Sequence, residues 1–171
     1  ISAGAEENGY LLYAFAGGKG AEIATLCSEC YAYPPEEEEN ANPYEVKQPV
    51  KGDRTDYKNG KLFGHTSRYQ VAGYGTAERP EQYEPYWFRT FRFIQLRITT
   101  GEEPLTVLSF CYRACGYPLD VKTSVQTSDP YMASIWKISE RTLKRCMQET
   151  YFDCPFYEQL QYAMDGRSEI L

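Results

Sequence analysis

The spacing of the apolar residues changes once along this chain, and that change limits the folds that the chain can adopt. Near residue 95 the alternate positions Ile94, Leu96 and Ile98 are apolar, a period of two that is typical of a half-buried strand. After Ser128-Asp129-Pro130 the apolar residues recur at helical spacing as far as Met147. We therefore predict a β-rich part followed by a helical part.

The first two thirds of the chain contain several strand-like segments. Apolar, β-branched and aromatic residues fill Tyr10–Ala16 and Ala21–Tyr33, and the link Gly17–Gly20 between them favours a hairpin. Further strands are predicted over Thr66–Ala72, Tyr86–Thr100 and Leu105–Tyr112. Because no helical pattern separates these segments, we predict an antiparallel, all-β sandwich over residues 1–117.

Two helices are predicted in the last part of the chain, after a linker over residues 118–127. Ser128-Asp129-Pro130 is a typical helix start, and the apolar spacing extends this first helix to Tyr151. A second helix is predicted over Tyr157–Leu171, capped by Asp153. Two consecutive helices form a hairpin that cannot bury both of its faces alone, so we expect 128–171 to begin a larger α-helical domain that continues beyond the chain.

Charge and composition exclude some classes of partner. The net charge of −6 argues against nucleic acid and against an anionic membrane surface, since both require a basic surface. The chain has no run of about 18 apolar residues such as a spanning helix needs. It begins with isoleucine and has no signal peptide in its first residues, so we expect the natural N-terminus to lie upstream. Compartment and oligomeric state stay open.

The six cysteines do not predict a metal site. Cys27 and Cys30 lie in a predicted strand and point to opposite faces, whereas Cys111 and Cys115 are about 13 Å apart along a strand, too far for a disulfide. Structural zinc sites use tighter spacings than this set offers. Free thiols fit a reducing compartment such as the cytoplasm, although a long-range disulfide stays open. The single histidine, His65, supports neither a triad nor a metal site.

Acidic residues cluster close to the end of the chain. On a helix entered through Pro155, one face would carry Glu158, Tyr162, Asp165 and Glu169. Glycoside hydrolysis needs a protonated carboxylic acid beside the leaving oxygen and a second carboxylate. The same pattern also fits a purely structural role, with Asp153 as a cap and the acids as a solvated face. The spacing alone leaves both interpretations open.

A specific motif favours the first interpretation. The run from Asp153 to Tyr162, closed by Asp165 and Arg167, closely resembles the signature of α-L-rhamnosidases of glycoside hydrolase family 78, a family of six-hairpin glycosidases. The preceding segment, with Trp136 and the run 141–146, resembles the helix before that signature. Other segments resemble its β-sandwich: Cys27–Glu29, Gly52–Asp56 and Tyr86–Ile94. The resemblance covers nearly the whole chain.

The resemblance implies a β-sandwich followed by an (α/α)6 catalytic barrel that begins near Ser128. It also implies an inverting mechanism that releases terminal α-L-rhamnose from glycosides or oligosaccharides without a cofactor. Glu158 would be the general acid, and Asp153 and Asp165 would contact sugar hydroxyls and help to hold the acid protonated. Tyr162 and Arg167 would also bind substrate. The general base of the family would lie beyond this chain, so the isolated chain is predicted to be inactive.

The sequence leaves two alternatives open. The chain could be a non-catalytic carbohydrate-binding β-sandwich with two helices attached, in which case residues 1–115 alone would retain sugar. It could also belong to a six-hairpin hydrolase with another sugar specificity. The 16 tyrosines and two tryptophans suit sugar stacking, but tyrosine is also common in strands.

Overall fold

The computed structural model describes residues 1–35 and 49–170, which form a mostly antiparallel β structure with two short helices. The strands are β1 (Ser2–Gly17), β2 (Glu22–Ser28), β3 (Tyr31–Ala32), β4 (Lys61–Leu62), β5 (Thr66–Gln70), β6 (Glu81–Tyr83), β7 (Arg89–Thr99) and β8 (Leu105–Ala114). The helices are α1 (Met132–Cys146) and α2 (Ala163–Ile170). Within the described residues all strands precede both helices, as the change of apolar period predicts.

The long strand β1 organises the main sheet. The sheet has the order β5-β2-β7-β1-β6, with β8 also paired to β1. The first part of β1 pairs with β7, whereas its second part pairs with β8 over Gly9–Gly17 and with β6 over Tyr13–Phe15. A register shift between Ser2 and Glu7 marks a bulge, which bends a strand. The resulting curled sheet is consistent with part of a β-sandwich.

The predicted hairpin between the first two strands is wrong. β2 pairs with β5 and β7 rather than with β1. The link carries the chain across the core, with Gly17, Gly18 and Gly20 at positive φ. β1 and β2 contact each other through side chains and not through backbone hydrogen bonds. The hydroxyls of Tyr13 and Thr25 are buried and lie 2.8 Å apart. β1 and β2 therefore face each other across the core.

Apolar side chains from these facing strands fill the space inside the curled sheet. The core cluster consists of Leu11, Tyr13, Phe15, Ala21, Ile23, Cys27, Val71, Phe91 and Ile94. Glu81 is fully buried beside it and accepts hydrogen bonds from the N–H groups of Ala72 and Gly73 and from the Tyr69 hydroxyl. Burial alone would raise the pKa of Glu81, but these hydrogen bonds outweigh it and the pKa is lowered.

Helix α1 is shorter than the predicted range Ser128–Tyr151. Asp129 accepts a hydrogen bond from the Tyr131 N–H at 2.9 Å, so the predicted start signal does act there, although the regular helix begins only at Met132. At the other end Met147 is extended and bridges to Tyr151, which reverses the chain. Met147 is buried in this turn.

Helix α2 begins six residues after the predicted start at Tyr157. Residues 155–158 form turns, and Gln159 has a φ of 56°, in the left-handed region that an α-helix excludes. Asp153 therefore caps a turn and not the predicted helix. Leu171, the last residue of the predicted range, lies outside the described residues. Neither helix in the described part of the chain combines the length and the hydropathy needed to cross a membrane.

The C-terminal end of α1 is fixed to β1 by one arginine. The Arg145 guanidinium donates to the Glu6 carbonyl at 3.1 Å and to the Glu7 carboxylate at 2.6 Å. The Arg145 carbonyl in turn accepts a hydrogen bond from the Asn8 side-chain amide at 2.7 Å. These contacts place the segment after α1 against the sheet.

Candidate active site

The acidic motif forms a closed loop between α1 and α2. The Asp153 N–H donates to the Leu160 carbonyl at 2.9 Å, and the Leu160 N–H donates to Oδ1 of Asp153 at 3.1 Å. Inside the loop the Glu158 N–H lies 3.3 Å from the Cys154 sulfur, which accepts its hydrogen bond. Residues 153–160, which we call the acid loop, are thus held by their own hydrogen bonds.

A chain of buried polar groups anchors the acid loop to the sheet. The Thr90 hydroxyl of β7 lies 2.5 Å from the Pro155 carbonyl and 2.8 Å from the side-chain oxygen of Asn8 in β1. Asn8 and Thr90 are 1% and 4% exposed. The Gln159 amide also donates to the Pro155 carbonyl, at 2.8 Å. Because buried polar groups need partners, these contacts fix the position of the loop relative to β1 and β7.

Tyr157 attaches another side of the acid loop to the β structure. Its hydroxyl lies 3.2 Å from Oε1 of Glu29, and the Lys51 ammonium lies 4.9 Å from the centre of its ring. Lys51 also donates to Glu29 at 2.6 Å. Burial raises the pKa of Tyr157, so the phenol stays protonated and can donate at neutral pH.

The Glu158 side chain makes none of these anchoring contacts and is exposed. The Tyr162 hydroxyl donates to Oε2 of Glu158 at 2.7 Å, and this hydrogen bond raises the pKa of Tyr162. The structure thus brings together two of the residues that the sequence assigns to the site. They meet across a turn, because the helix expected between them does not form.

The charges of Asp153 and Asp165 act on Glu169. Burial raises the pKa of Glu169, and the charges of Asp165 and Asp153 raise it further. One oxygen of Glu169 is buried and has no hydrogen-bond partner in the described part of the chain. Burial opposes ionisation of Asp153 as well, but hydrogen bonds from the N–H groups of Leu160 and Cys154 outweigh it and lower the pKa of Asp153. Glu169 lies on the predicted polar face, but the motif assigned it no role.

The remaining predicted residues lie on α2. Asp165 and Arg167 are exposed, and in the described residues neither side chain makes a hydrogen bond or an ion pair. Their side chains are therefore accessible to a ligand.

A cavity of about 400 Å³ opens between the sheet and the acid loop. Its lining includes His65, Trp87, Arg89, Phe156, Tyr157 and Gln159. The sequence pattern gave no role to His65 or Arg89. The sequence feature that could have indicated this cavity is the broken alternation over residues 87–91, which predicted a bend. Trp87 lies just before the start of β7.

Within residues 1–35 and 49–170, no group of three or more His, Cys, Asp or Glu side chains could hold a metal ion. The six cysteines are all unpaired, with Cys27, Cys30 and Cys146 buried.

The chain is similar in structure to a protein of known structure. The chain is similar over 99% of its length to the crystal structure of a GH78 family rhamnosidase of Bacillus sp. GL1, with a TM-score of 0.66 and 25% sequence identity. The resemblance to a family 78 rhamnosidase is confirmed. The chain spans 15% of the length of that rhamnosidase. No protein-family model matches the sequence, and no curated protein matches it.

The similarity to the rhamnosidase covers both the sheet and the segment that carries the acid loop, because almost no residue of the chain is left out of the match. A relationship to glycoside hydrolases is therefore supported by the shape of the whole chain as well as by the short motif. This relationship agrees with the mostly antiparallel β structure.

Proposed function

We propose that the chain is part of a glycoside hydrolase that releases terminal α-L-rhamnose from rhamnosides. The observation that carries this proposal is the similarity to a GH78 rhamnosidase over 99% of the chain. In this proposal residues 1–117 are a β-sandwich domain and residues 118–127 a linker. Residues 128–171 begin an (α/α)6 catalytic domain of the six-hairpin class.

Glu158 is the proposed general acid. Its carboxyl group is exposed, and one of its oxygens accepts the hydrogen bond from Tyr162. The other oxygen has no hydrogen-bond partner among the described residues, so it can carry a proton toward the leaving oxygen of a glycoside. The closed acid loop would keep this carboxyl group in place during the reaction.

Asp153, Asp165, Tyr162 and Arg167 are the proposed sugar-binding residues. Carboxylates accept hydrogen bonds from sugar hydroxyls, and an arginine donates them, so this set complements a ring with several hydroxyls. Two carboxylates near a third carboxyl group also favour its protonated form. Glu169 experiences this effect from Asp153 and Asp165 in the structure, and Glu158 would need it in the complete site.

The general base of the proposed reaction lies outside this chain. An inverting glycosidase separates its two carboxyl groups by about 6.5 to 9.5 Å, with the base on the opposite side of the sugar from the acid. We therefore propose that residues 1–171 alone do not release rhamnose. Rhamnose release by the full-length protein, compared with its Glu158→Gln variant, tests the proposed function.

A second candidate is a non-catalytic carbohydrate-binding sandwich. The observation that favours it is the exposure of Trp87, 54%, beside the cavity on the sheet. Exposed aromatic rings stack on sugar rings. This candidate predicts that residues 1–115 retain sugar without the acid loop.

A panel of glycosides offered to the full-length protein separates a rhamnosidase from a six-hairpin hydrolase of another specificity.

A further inference from the structure

The cavity beside the acid loop contains an arginine without an anionic partner. Arg89 is half-buried, and the one hydrogen bond of its guanidinium in the described residues goes to the Ser67 hydroxyl at 2.8 Å. No carboxylate of residues 1–35 or 49–170 forms an ion pair with it. A guanidinium group has five N–H donors, and because Arg89 lines the cavity, the donors that do not bond to Ser67 are available to a ligand. An anionic ligand would satisfy the remaining donors of Arg89.

The remaining residues that line the cavity also favour an anionic ligand. No Asp or Glu of the described residues lines the cavity, although the chain as a whole has a net charge of −6. His65 adds an imidazole ring to the lining. The ring of Trp87 stacks on Phe88, with centroids 5.2 Å apart, and more than half of the Trp87 surface stays open. The cavity thus combines a cationic group with an accessible aromatic ring.

We propose that this cavity binds an acidic sugar, that is, a pyranose ring with a carboxylate. Trp87 would stack on the C–H face of the ring, and Arg89 would bind the carboxylate. The volume of about 400 Å³ lies within the usual range of ligand pockets. The choice of a sugar rests on the proposed function, whereas the choice of an anion rests on Arg89 alone.

The acidic-sugar site is separate from the proposed acid. Tyr157 and Gln159 line the cavity, but Glu158, which lies between them, bonds to Tyr162 and does not line it. A sugar bound here would contact the acid loop through its anchoring side. The site would therefore hold a part of an acidic oligosaccharide away from the bond that is cleaved, and its binding can be measured without catalysis.

The two tryptophans of the chain allow a direct test. Trp136→Phe leaves Trp87 as the single tryptophan, so its fluorescence reports on the cavity. We expect methyl glucuronide to change this emission in a saturable manner when added to the 171-residue chain. Methyl glucoside, the uncharged match, should bind roughly tenfold more weakly or worse, because it lacks the charge-assisted hydrogen bonds. Equal affinity for both sugars, or no change with the glucuronide, would overturn the proposal.

Variants identify the cationic group. Arg89→Gln should weaken glucuronide binding roughly tenfold or more, whereas Arg97→Gln, a change at an exposed arginine of the same strand, should leave it unchanged. Because Arg89 also bonds to Ser67, circular dichroism must show that the Arg89 variant is folded. If it is not, Trp87→Leu at an exposed position takes its place, with binding measured by calorimetry. Undiminished binding by the folded Arg89 variant or by Trp87→Leu would contradict the site.

The outcome is independent of the catalytic assignment. A failure of glucuronide binding leaves the role of Glu158 untouched, because that role is measured by rhamnose release. Conversely, a full-length protein that is inactive on rhamnosides but binds glucuronide would retain the cavity site and lose the proposed function.

Discussion

Asp153 and Leu160 are hydrogen-bonded to each other in both directions, through the backbone of Leu160 and through the backbone and side chain of Asp153. This pair closes the acid loop and leaves Glu158 exposed at its surface. The position of Glu158 is therefore set by a turn anchored on the sheet, and changes in β7 should affect the acid loop.

Thr90 offers the most direct test of this anchoring. Thr90→Val keeps the shape of the side chain but leaves the Pro155 carbonyl and the Asn8 side-chain oxygen without their shared hydroxyl. We expect the free energy of unfolding to fall by about 1 to 3 kcal/mol, since the hydroxyl has a single proton and the buried acceptor that receives it loses this donor. Thr90→Ser, which retains the hydroxyl, should lose less. Equal stability of the two variants in urea would show that the hydroxyl does not hold the loop.

Glu81 should make stability depend on acid pH. Its folded-state pKa is lowered, so its stabilising effect is complete above the unfolded pKa of about 4.3 and is lost as pH falls through the lower folded pKa. Ala72 and Gly73 donate to different oxygens of Glu81, so in Glu81→Gln one of these two N–H groups would face an amide nitrogen that cannot accept. The substitution should therefore cost roughly 1.5 to 3 kcal/mol at pH 7.

The measurement for Glu81 is the melting temperature between pH 7 and pH 3. The difference between the wild-type chain and Glu81→Gln should shrink toward the acid end. The exposed Glu102→Gln is the matched control and should change little at any pH. A constant difference across the range would mean that the charge of Glu81 is not what stabilises the fold.

Thiol reactivity should follow burial. Burial raises the pKa of Cys27 and of Cys146 to about 11, so both remain protonated at pH 8. Cys111 is exposed and should react first with iodoacetamide. Mass mapping of the labelled peptides checks this order. Labelling of Cys27 as fast as Cys111 in the folded chain would contradict the described core.

Apolar side chains of the helices are exposed in this chain. Ile135 is 50% exposed and Ile138 is 56% exposed on α1. Such a patch binds apolar dyes or promotes association. Replacing both isoleucines by lysine should reduce dye fluorescence, whereas Val125→Lys, at a similarly exposed position outside the helices, should not. An unchanged signal in the double variant would place the dye elsewhere.

The sequence predicted a β-rich part that precedes the helices, because the apolar period reports directly on local structure. It did not predict which strands pair, since partners are chosen by distant contacts such as that of Tyr13 with Thr25. The glycine-rich link between β1 and β2 fits a hairpin and a crossing of the core equally well. Only the packing of the facing strands decides between them.

The acid loop shows a similar limit. The spacing of Glu158 and Tyr162 suggested contact on a helix, and the two side chains do form a hydrogen bond. The helix itself is excluded by the left-handed Gln159 and by the closure at Asp153. Neither feature can be read from helix propensity. The cavity with Arg89 depends on the docking of the loop on the sheet, so no local pattern indicates it.

Glu158 is proposed to be the general acid of a rhamnosidase. The test is the rate of rhamnose release by the full-length protein on a natural rhamnoside and on an activated aryl rhamnoside, with Glu149→Gln as an exposed control. Glu158→Gln should slow the natural substrate by roughly a hundredfold or more. The aryl rhamnoside should be affected less, because its leaving group needs little protonation. Near wild-type rates of Glu158→Gln on both substrates would contradict the assignment.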